Sequence, residues 1–281
     1  MKSERTATFM WQATHFDLDQ IAESGQVFRW QRLGPEKYAI PAGDQFCTAW
    51  HVAPDLLAVR CPENKAAFWQ YYFGVGDAYP EYWAAIATWA ERDGPAAYLS
   101  RAAAAANGMV ILHQPAWETM VSFMVSQNNN IPRIKATLAA MCRRFGKLIT
   151  TPTGEQYYTF PEAETLTDVA ELAGLGLGYR DKYIAALAHS VMAGALPITA
   201  IEAMDYNEAK NVLKSVQGIG EKVANCVLLY GMGHLEAFPV DTWIRRVLDR
   251  EFSDGFPMER YAGFAGLIQQ LIFYYERKGG K

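Results

Sequence analysis

Residues 213–241 read LKSVQGIGEKVANCVLLYGMGHLEAFPVD, and this stretch carries the pattern that decides the fold. An apolar helical segment ends at a short glycine hairpin, and a second apolar helical segment begins directly after it. Gly218 and Gly220 permit positive φ and carry no side chain, so backbone amides of the hairpin and of the next helix can point at a phosphate. Taken alone, a glycine-flanked turn between helices favours an ordinary helical hairpin.

Two residues of this stretch are candidates for catalysis. Lys222 lies in the first turn of the second helix, where the positive end of the helix dipole disfavours an ammonium group. A lysine kept at such a place is a candidate nucleophile. Asp241 follows nineteen residues later and precedes TWIRRVL, a position that is by itself more typical of a helix N-cap. Both roles are compatible, because capping amides would orient the carboxylate.

The bulk composition indicates a globular protein. With 281 residues and 51% hydrophobic content, the chain can bury the core of one large domain or two ordinary ones. No apolar run reaches the roughly 18 residues that span a bilayer, and the start of the chain lacks a secretory signal. We therefore expect a cytoplasmic location and no membrane partner. The cysteines are widely spaced without a C-x-x-C pair, which predicts free core thiols rather than a zinc site or an iron–sulfur cluster; they are Cys47, Cys61, Cys142 and Cys226.

The charge pattern restricts how the chain could meet nucleic acid. A formal net charge of -4 argues against a generally basic surface, so any contact must be local. Basic residues gather at 133–147, 178–182 and 241–250, for which a solvated helix face is the alternative.

The chain divides near residue 105. Residues 1–105 contain short β-rich runs with hairpin turns expected at Gly34-Pro35 and at 42–44, followed by helical segments, which indicates an α+β domain. Residues 106–281 show helical patterns almost throughout, including predicted helices at 165–176 and 260–278.

With these features in place, the stretch 213–241 resembles the helix-hairpin-helix, Gly/Pro-rich loop and aspartate of the DNA glycosylase superfamily (HhH-GPD), with the lysine of its bifunctional members. Three further segments resemble the 8-oxoguanine DNA glycosylase/AP lyases: SGQVFRW at 24–30, VSQNNNIPRI at 125–134 and GLGYRDKY at 176–183. They occur in the expected order and extend the resemblance over nearly the whole chain. The resemblance implies a twisted antiparallel sheet domain, 1–105, packed on an all-helical domain, 106–281.

The resemblance also implies catalytic and base-binding roles. Lys222 matches the Schiff-base nucleophile and Asp241 the catalytic carboxylate. Gly25 matches the glycine whose carbonyl accepts a hydrogen bond from the N7–H that 8-oxoguanine has and guanine lacks. Cys226, one turn past Lys222, matches a cysteine that lines the base pocket, and core packing is its alternative.

The helix IQQLIFYYE near the C-terminus resembles the pocket helix of the family. Gln269 and Phe273 are then the expected contacts to the Watson–Crick edge and the face of the base. The distance from the preceding Ala-Gly pair leaves a shifted assignment, Gly266 and Gln270, open.

The remaining matched residues are expected to bind DNA around the extruded base. Asn128 matches the residue that fills the gap, Arg133 and Arg180 match arginines that read the orphaned cytosine, and Tyr179 matches an aromatic wedge. The alternatives are surface charges for the arginines and a helix cap for the triple asparagine. Gly218 and Gly220 would contact the backbone through the hairpin. A monovalent cation is implied at the carbonyls of Lys214, Val216 and Ile219.

The function implied is a monomeric bifunctional repair enzyme that requires no cofactor. It would excise 8-oxoguanine, preferably opposite cytosine, from duplex DNA and cut the abasic strand by β-elimination through Lys222. Two alternatives stay open. The first is a non-catalytic helix-hairpin-helix DNA-binding module, which has no need of Lys222 or Asp241. The second is a glycosylase for another base, such as an alkylated base or a mispaired adenine, which would usually lack the hairpin lysine.

Overall fold

The computed structural model describes residues 5–88 and 95–280, in which an antiparallel sheet precedes a helical region. Five strands form one sheet in the order β1-β5-β4-β3-β2. Both predicted hairpin turns are present, since Gly34 pairs with Lys37 and Ala42 pairs with Gln45. The predicted α+β class is therefore confirmed. The strands are β1 Thr6–Gln12, β2 Gln31–Gly34, β3 Lys37–Ala42, β4 Gln45–Ala53 and β5 Leu56–Pro62, with a separate pair β6 Leu148–Thr150 and β7 Gln156–Tyr158.

The described residues form twelve α-helices and three short 3₁₀ turns, at 63–65, 163–166 and 258–261. No helix of this part of the chain is long and apolar enough to cross a bilayer. The helices are α1 Leu18–Glu23, α2 Ala66–Tyr72, α3 Tyr79–Ala87, α4 Pro95–Ala105, α5 Ala116–Val125, α6 Ile131–Phe145, α7 Arg180–Met192, α8 Ile198–Glu202, α9 Tyr206–Ser215, α10 Glu221–Gly231, α11 Thr242–Glu251 and α12 Ala265–Arg277.

One helix prediction is wrong, and a second gave too early a start to a helix that forms. The segment 165–176 forms the end of a 3₁₀ turn and then irregular turns, and Gly174 and Gly176 at its end have φ of +82° and +74°. The segment 260–278 is interrupted at Gly263, where φ is +84°, and α12 begins only at Ala265. Positive φ lies outside the right-handed helical region, so no α-helix continues through these glycines.

Two hydrophobic clusters form the core. The first unites the sheet and α1–α4 with buried residues of 238–275, including those of α11 and α12. The second is built mainly from α5–α10. The chain therefore returns at its C-terminal end to the core of the sheet, and α12 packs against α4. The domain division at residue 105 stays a prediction.

A buried ion pair joins the sheet region to α5. Arg29 Nη1 donates to Glu118 Oε2 at 2.7 Å, and the amide of Gly43 in the β3–β4 turn donates to the same oxygen at 2.7 Å. Arg29 Nη2 also donates to the carbonyl of Tyr158. A buried charge pair with these additional hydrogen bonds fixes relative orientation well. It holds α5, whose C-terminal end borders the candidate site, at a fixed position relative to the sheet.

Candidate active site

The predicted helix-hairpin-helix is formed by α9 and α10. Gly218 has φ of +91°, and a Cβ added there would lie 2.6 Å from Tyr183 Cγ, so this position excludes any side chain. Gly220 has φ of -90° and does not use the positive φ that glycine permits. No atom of the described chain lies within 4 Å of a Cβ built at Gly220, and no side chain there caps α10. The first amides of α10 are therefore open to an anion.

The hairpin is also held by charge. Glu221 pairs with Lys210 and, at 2.7 Å, with Lys214, and hydrogen bonds from these two lysines lower the pKa of Glu221 to about 2. The carbonyl of Val216 accepts from the Ile219 amide at 3.0 Å within the same turn. Backbone carbonyls are hard oxygen ligands and fit a cation in type. Cation binding at Lys214, Val216 and Ile219 stays a prediction.

Lys222 is half-buried and does not lie on a solvated face. Its Nζ donates to Ser126 Oγ at 3.3 Å and lies 5.2 Å from the centre of the Phe123 ring. The Ser126 hydroxyl donates in turn to the Phe123 carbonyl at 2.7 Å. The end of α5 therefore fixes the lysine nitrogen beside a cavity that Lys222 lines.

Asp241 caps α11, as its position in the sequence predicts. Its Oδ1 accepts from the Ile244 amide at 2.9 Å, and its backbone is extended. The cap uses one of the two carboxylate oxygens, and Asp241 also lines the same cavity as Lys222. The cap is confirmed and is compatible with a catalytic role for Asp241, which stays a prediction.

The cavity is an open cleft of about 1000 Å³ between the two hydrophobic clusters. This volume is typical of ligand sites and accommodates a nucleobase with its sugar. Eight predicted site residues line it: Gly25, Asn128, Gly220, Lys222, Cys226, Asp241, Gln269 and Phe273. Four others, Arg133, Tyr179, Arg180 and Gly218, are not part of its lining.

Cys226 contributes a neutral surface to the cavity. Burial raises the pKa of its thiol, while the charge of Lys222 opposes the shift and that of Asp241 reinforces it. A buried, protonated thiol behaves as a small hydrophobic group. All four cysteines are free and buried, which confirms the sequence prediction.

One wall of the cavity combines a glycine with positive φ, an aromatic ring and an unpaired amide oxygen. Gly25 has φ of +80°, and a Cβ added there would lie 3.0 Å from Phe273 Cε1, so the backbone lies directly on the ring. Gln269 is 3% exposed, and its Oε1 has no hydrogen-bond partner within the described residues. Leaving a buried acceptor unpaired costs about 1–3 kcal/mol. This oxygen therefore points to a ligand that carries a donor.

The shifted assignment to Gly266 and Gln270 is not supported by the structure. A Cβ at Gly266 would lie 2.7 Å from the Ala237 carbonyl oxygen, so Gly266 serves the close approach of α12 to the preceding loop. Gln270 is completely buried and hydrogen-bonds to Ser24 and Tyr230. Neither residue of the shifted pair lines the cavity.

Arg180 is buried, so the surface-charge alternative is wrong for this residue. It is 6% exposed; its Nε donates to the Gln127 carbonyl at 2.9 Å, and its Nη2 donates to the Asn128 carbonyl at 3.2 Å. A third bond joins Nη1 to Leu177 O at 2.8 Å. The guanidinium thus holds the loop of Asn128, which has a φ of +45° that is uncommon outside glycine. A direct contact to cytosine would require Arg180 to leave these carbonyls.

The helix-cap alternative applies to Asn130, whose Oδ1 accepts from the Arg133 amide at 3.0 Å. Asn128 instead donates through Nδ2 to the Tyr179 hydroxyl at 3.1 Å. Tyr179 is 49% exposed, and Arg133 is exposed as well. These side chains form a polar and aromatic ridge beside the cavity.

Sequence reasoning missed several residues of this site. Phe123 was missed because it lies in the apolar run of α5, a pattern typical of core residues. Ser126 lies inside the motif VSQNNNIPRI, but no separate signal in the sequence marks it. Trp243, Arg245 and Arg246 line the cavity at the start of α11, and the Arg246 guanidinium carbon lies 5.8 Å from the centre of the Trp243 ring. The basic cluster at 241–250 was the signal for these last residues.

Comparison with known proteins then assigns a family. A model of the HhH-GPD superfamily of base excision DNA repair proteins matches residues 121–255. A solved structure of MBOgg1 in complex with a low-affinity DNA ligand is 31% identical, covers 99% of this chain and 98% of its own, and has a TM-score of 0.88. This chain belongs to the HhH-GPD superfamily.

Two further relatives extend the comparison. A probable N-glycosylase/DNA lyase of Methanothermobacter thermautotrophicus is 32% identical over 201 residues, which cover 61% of this chain and 64% of the relative, less than two thirds of its length. The Clostridium acetobutylicum 8-oxoguanine glycosylase/lyase, in complex with dsDNA containing cytosine opposite to 8-oxoG, is 26% identical and covers 100% of both chains with a TM-score of 0.85. The similarity therefore includes the N-terminal sheet, which confirms the predicted architecture.

Proposed function

We propose that this protein is a bifunctional DNA repair enzyme that excises 8-oxoguanine from duplex DNA and cleaves the strand at the resulting abasic site. The observation that carries the proposal is one cavity, large enough for a nucleobase with its sugar, that is lined by Lys222, Asp241, Gly25 and Gln269 with its unpaired Oε1. The relatives named glycosylase/lyase support it.

Base recognition in this proposal uses the wall formed by Gly25, Gln269 and Phe273. The Gly25 carbonyl would accept the N7–H of 8-oxoguanine, whereas the N7 of guanine is an acceptor and would leave that carbonyl unpaired. Such an unpaired polar contact discriminates strongly between closely similar ligands. Gln269 Oε1 would accept from an N–H of the Watson–Crick edge, and the Phe273 ring would cover the face of the base.

The chemistry would proceed at the sugar C1′. As the glycosidic bond breaks, its electron pair leaves with the base, and the Asp241 carboxylate stabilises the positive charge that develops on the sugar. The nitrogen lone pair of Lys222 bonds to C1′, and a proton from that nitrogen passes to the departing base. Cleavage of the C1′–O4′ bond, with O4′ taking up a proton, then leaves a protonated Schiff base. Loss of a C2′ proton then allows β-elimination, which breaks the C3′–O bond and cuts the strand.

The ridge beside the cavity would contact the DNA around the extruded base. Asn128 and Tyr179 would fill the gap, because an unstacked duplex loses a few kcal/mol that inserted side chains partly restore. The exposed Arg133 would donate to O2 or N3 of an opposite cytosine, and Arg180 would join it by leaving the Gln127 and Asn128 carbonyls, which gives the proposed preference for that base. We expect the protein to act on duplex DNA as a monomer without a cofactor.

Borohydride trapping tests this proposal. With a duplex carrying 8-oxoguanine opposite cytosine, the unmodified protein should give a covalent protein–DNA adduct, and Lys222→Gln should abolish it while duplex binding is preserved. Lys182→Gln removes an exposed lysine outside the cavity and is the matched control, which should keep the adduct. An undiminished adduct with Lys222→Gln would exclude Lys222 as the nucleophile. Activity only on duplexes with an alkylated base or a mispaired adenine would exclude 8-oxoguanine as the substrate.

A further inference from the structure

Two neighbouring glutamines of α12 have opposite surroundings. Gln269 lines the cavity with an unpaired oxygen, whereas Gln270 is completely buried and fully engaged. Gln270 Nε2 donates to the Ser24 carbonyl at 2.7 Å, and its Oε1 accepts the hydroxyl of Tyr230. A buried polar chain therefore runs from α10 through α12 to the residue before Gly25.

This series of buried hydrogen bonds is unusual because it passes through an otherwise apolar part of α12. The other buried residues around it on α12 are mostly apolar, namely Leu267, Ile268, Leu271 and Ile272. An apolar side chain at position 270 would avoid the desolvation of an amide, so hydrophobic packing does not explain the glutamine. Its hydrogen bonds do, because they connect two elements that lie far apart in sequence.

The residues on both sides of Gly25 are anchored. On one side Gln270 holds the Ser24 carbonyl. On the other, the Gln26 side chain accepts from the Leu112 amide at 3.0 Å and donates to the Val110 carbonyl at 2.9 Å. Among the described residues no donor reaches the Gly25 carbonyl itself. The turn therefore presents one unpaired carbonyl between two fixed neighbours at the cavity wall.

The same tyrosine borders the candidate nucleophile. The Tyr230 ring stacks on Phe123 with centroids 5.2 Å apart and planes 15° apart, and Lys222 Nζ lies 5.2 Å from the centre of the Phe123 ring. Tyr230 thus contacts the support of Lys222 through its ring and the support of Gly25 through its hydroxyl.

We propose that Gln270, oriented by Tyr230, is a positioning residue that fixes the Gly25 carbonyl for the recognition of 8-oxoguanine. This inference rests on the proposed function. Gln270 lies outside the cavity lining, so it would act through Ser24 and Gly25 rather than by contact with the base.

The test compares two reactions of one protein. Gln270→Met keeps the length of the side chain but removes both hydrogen bonds. Single-turnover excision of 8-oxoguanine opposite cytosine should slow about tenfold or more, because the hydrogen bond between the Gly25 carbonyl and the N7–H of the base would be lost. Cleavage of a preformed abasic site should stay within about twofold, because that substrate has no base to meet the Gly25 carbonyl.

Tyr230→Phe keeps the test decisive if Gln270→Met does not fold, because this milder substitution keeps the ring stacking and removes only the hydroxyl. It should slow excision in the same selective way, by a smaller factor. The matched control is Tyr206→Phe, which removes a similar tyrosine–amide bond, 2.6 Å to Asn225 Oδ1, that lies outside the cavity lining. Tyr206→Phe should change neither the rate of 8-oxoguanine excision nor the rate of abasic-site cleavage.

Each outcome decides one statement. The positioning role would be overturned if Gln270→Met slowed excision and abasic-site cleavage equally, or if Tyr230→Phe left excision unchanged. Either result would show that the hydrogen bonds of Tyr230, Gln270 and Ser24 only support the fold. If the unmodified protein cleaves abasic sites but excises no 8-oxoguanine, the proposed substrate itself is wrong and the inference falls with it.

Discussion

Substitution of Asp241 by asparagine separates its two roles. Asparagine is as good an N-cap as aspartate, so the bond to the Ile244 amide should persist. Only the favourable charge at the positive end of α11 is lost, which is worth about 0.3–1 kcal/mol. For a chain of this size the melting temperature should fall by no more than roughly 2–4 °C. Asp241→Ala also removes the cap and should cost about 0.5–2 kcal/mol more.

The effect on catalysis should be much larger. Loss of one charge that faces the developing sugar cation costs roughly 3 kcal/mol, which slows excision at least about a hundredfold. Asp241→Asn and Asp241→Ala should therefore be similarly slow although their melting temperatures differ. The assay is single-turnover excision of 8-oxoguanine opposite cytosine, with lesion-duplex binding and thermal unfolding measured on the same preparations.

Asp205 provides a matched control, because it caps α9 through hydrogen bonds from the Asn207 and Glu208 amides. Asp205→Asn should change stability by a similarly small amount and leave excision at the unmodified rate. The reasoning would be refuted if Asp241→Asn excised at nearly the unmodified rate while Asp241→Ala did not, since the cap rather than the charge would then be the contribution of Asp241.

Further predictions concern the opposite base, the hairpin and pH. The unmodified protein should prefer 8-oxoguanine opposite cytosine over adenine by roughly five- to hundredfold. Arg133→Ala should narrow this ratio, whereas Lys182→Ala should weaken binding to both duplexes equally in titrations; equal excision opposite every base would exclude the preference. Gly218→Ala should destabilise by at least about 1–3 kcal/mol in chemical unfolding, because of its positive φ and its contact with Tyr183; an unchanged midpoint contradicts this. The folded-state pKa of Glu221, about 2, lies below the ordinary value of 4.5, so its stabilisation is complete above about pH 4.5 and is lost as pH falls toward 2. Glu221→Gln should therefore lower the free energy of unfolding by less than about 1 kcal/mol at pH 7, because these ion pairs are exposed. A loss of stability that is as large at pH 3 as at pH 7 would contradict this prediction.

Features that depend on neighbouring residues were predictable from the sequence. The helix cap at Asp241, the left-handed turn at Gly218 and the hairpin turns of the sheet each follow from residues a few positions apart. The helix predicted at 165–176 did not form, because the apolar spacing there reflects burial rather than a helix. The helix predicted at 260–278 begins only at Ala265, since the positive φ of Gly263 interrupts it.

The sequence by itself determined the order of the motifs, the helix-hairpin-helix and the candidate pair Lys222 and Asp241, since each rests on local chemistry. Only the tertiary structure decided that Gly25, nearly two hundred residues from Lys222, lines the same cavity. It also turned Arg180 inward onto backbone carbonyls and separated Gln269 from Gln270. Adjacent side chains on a helix point about 100° apart, so two identical residues meet a ligand or a core according to how the helix packs against distant parts of the chain.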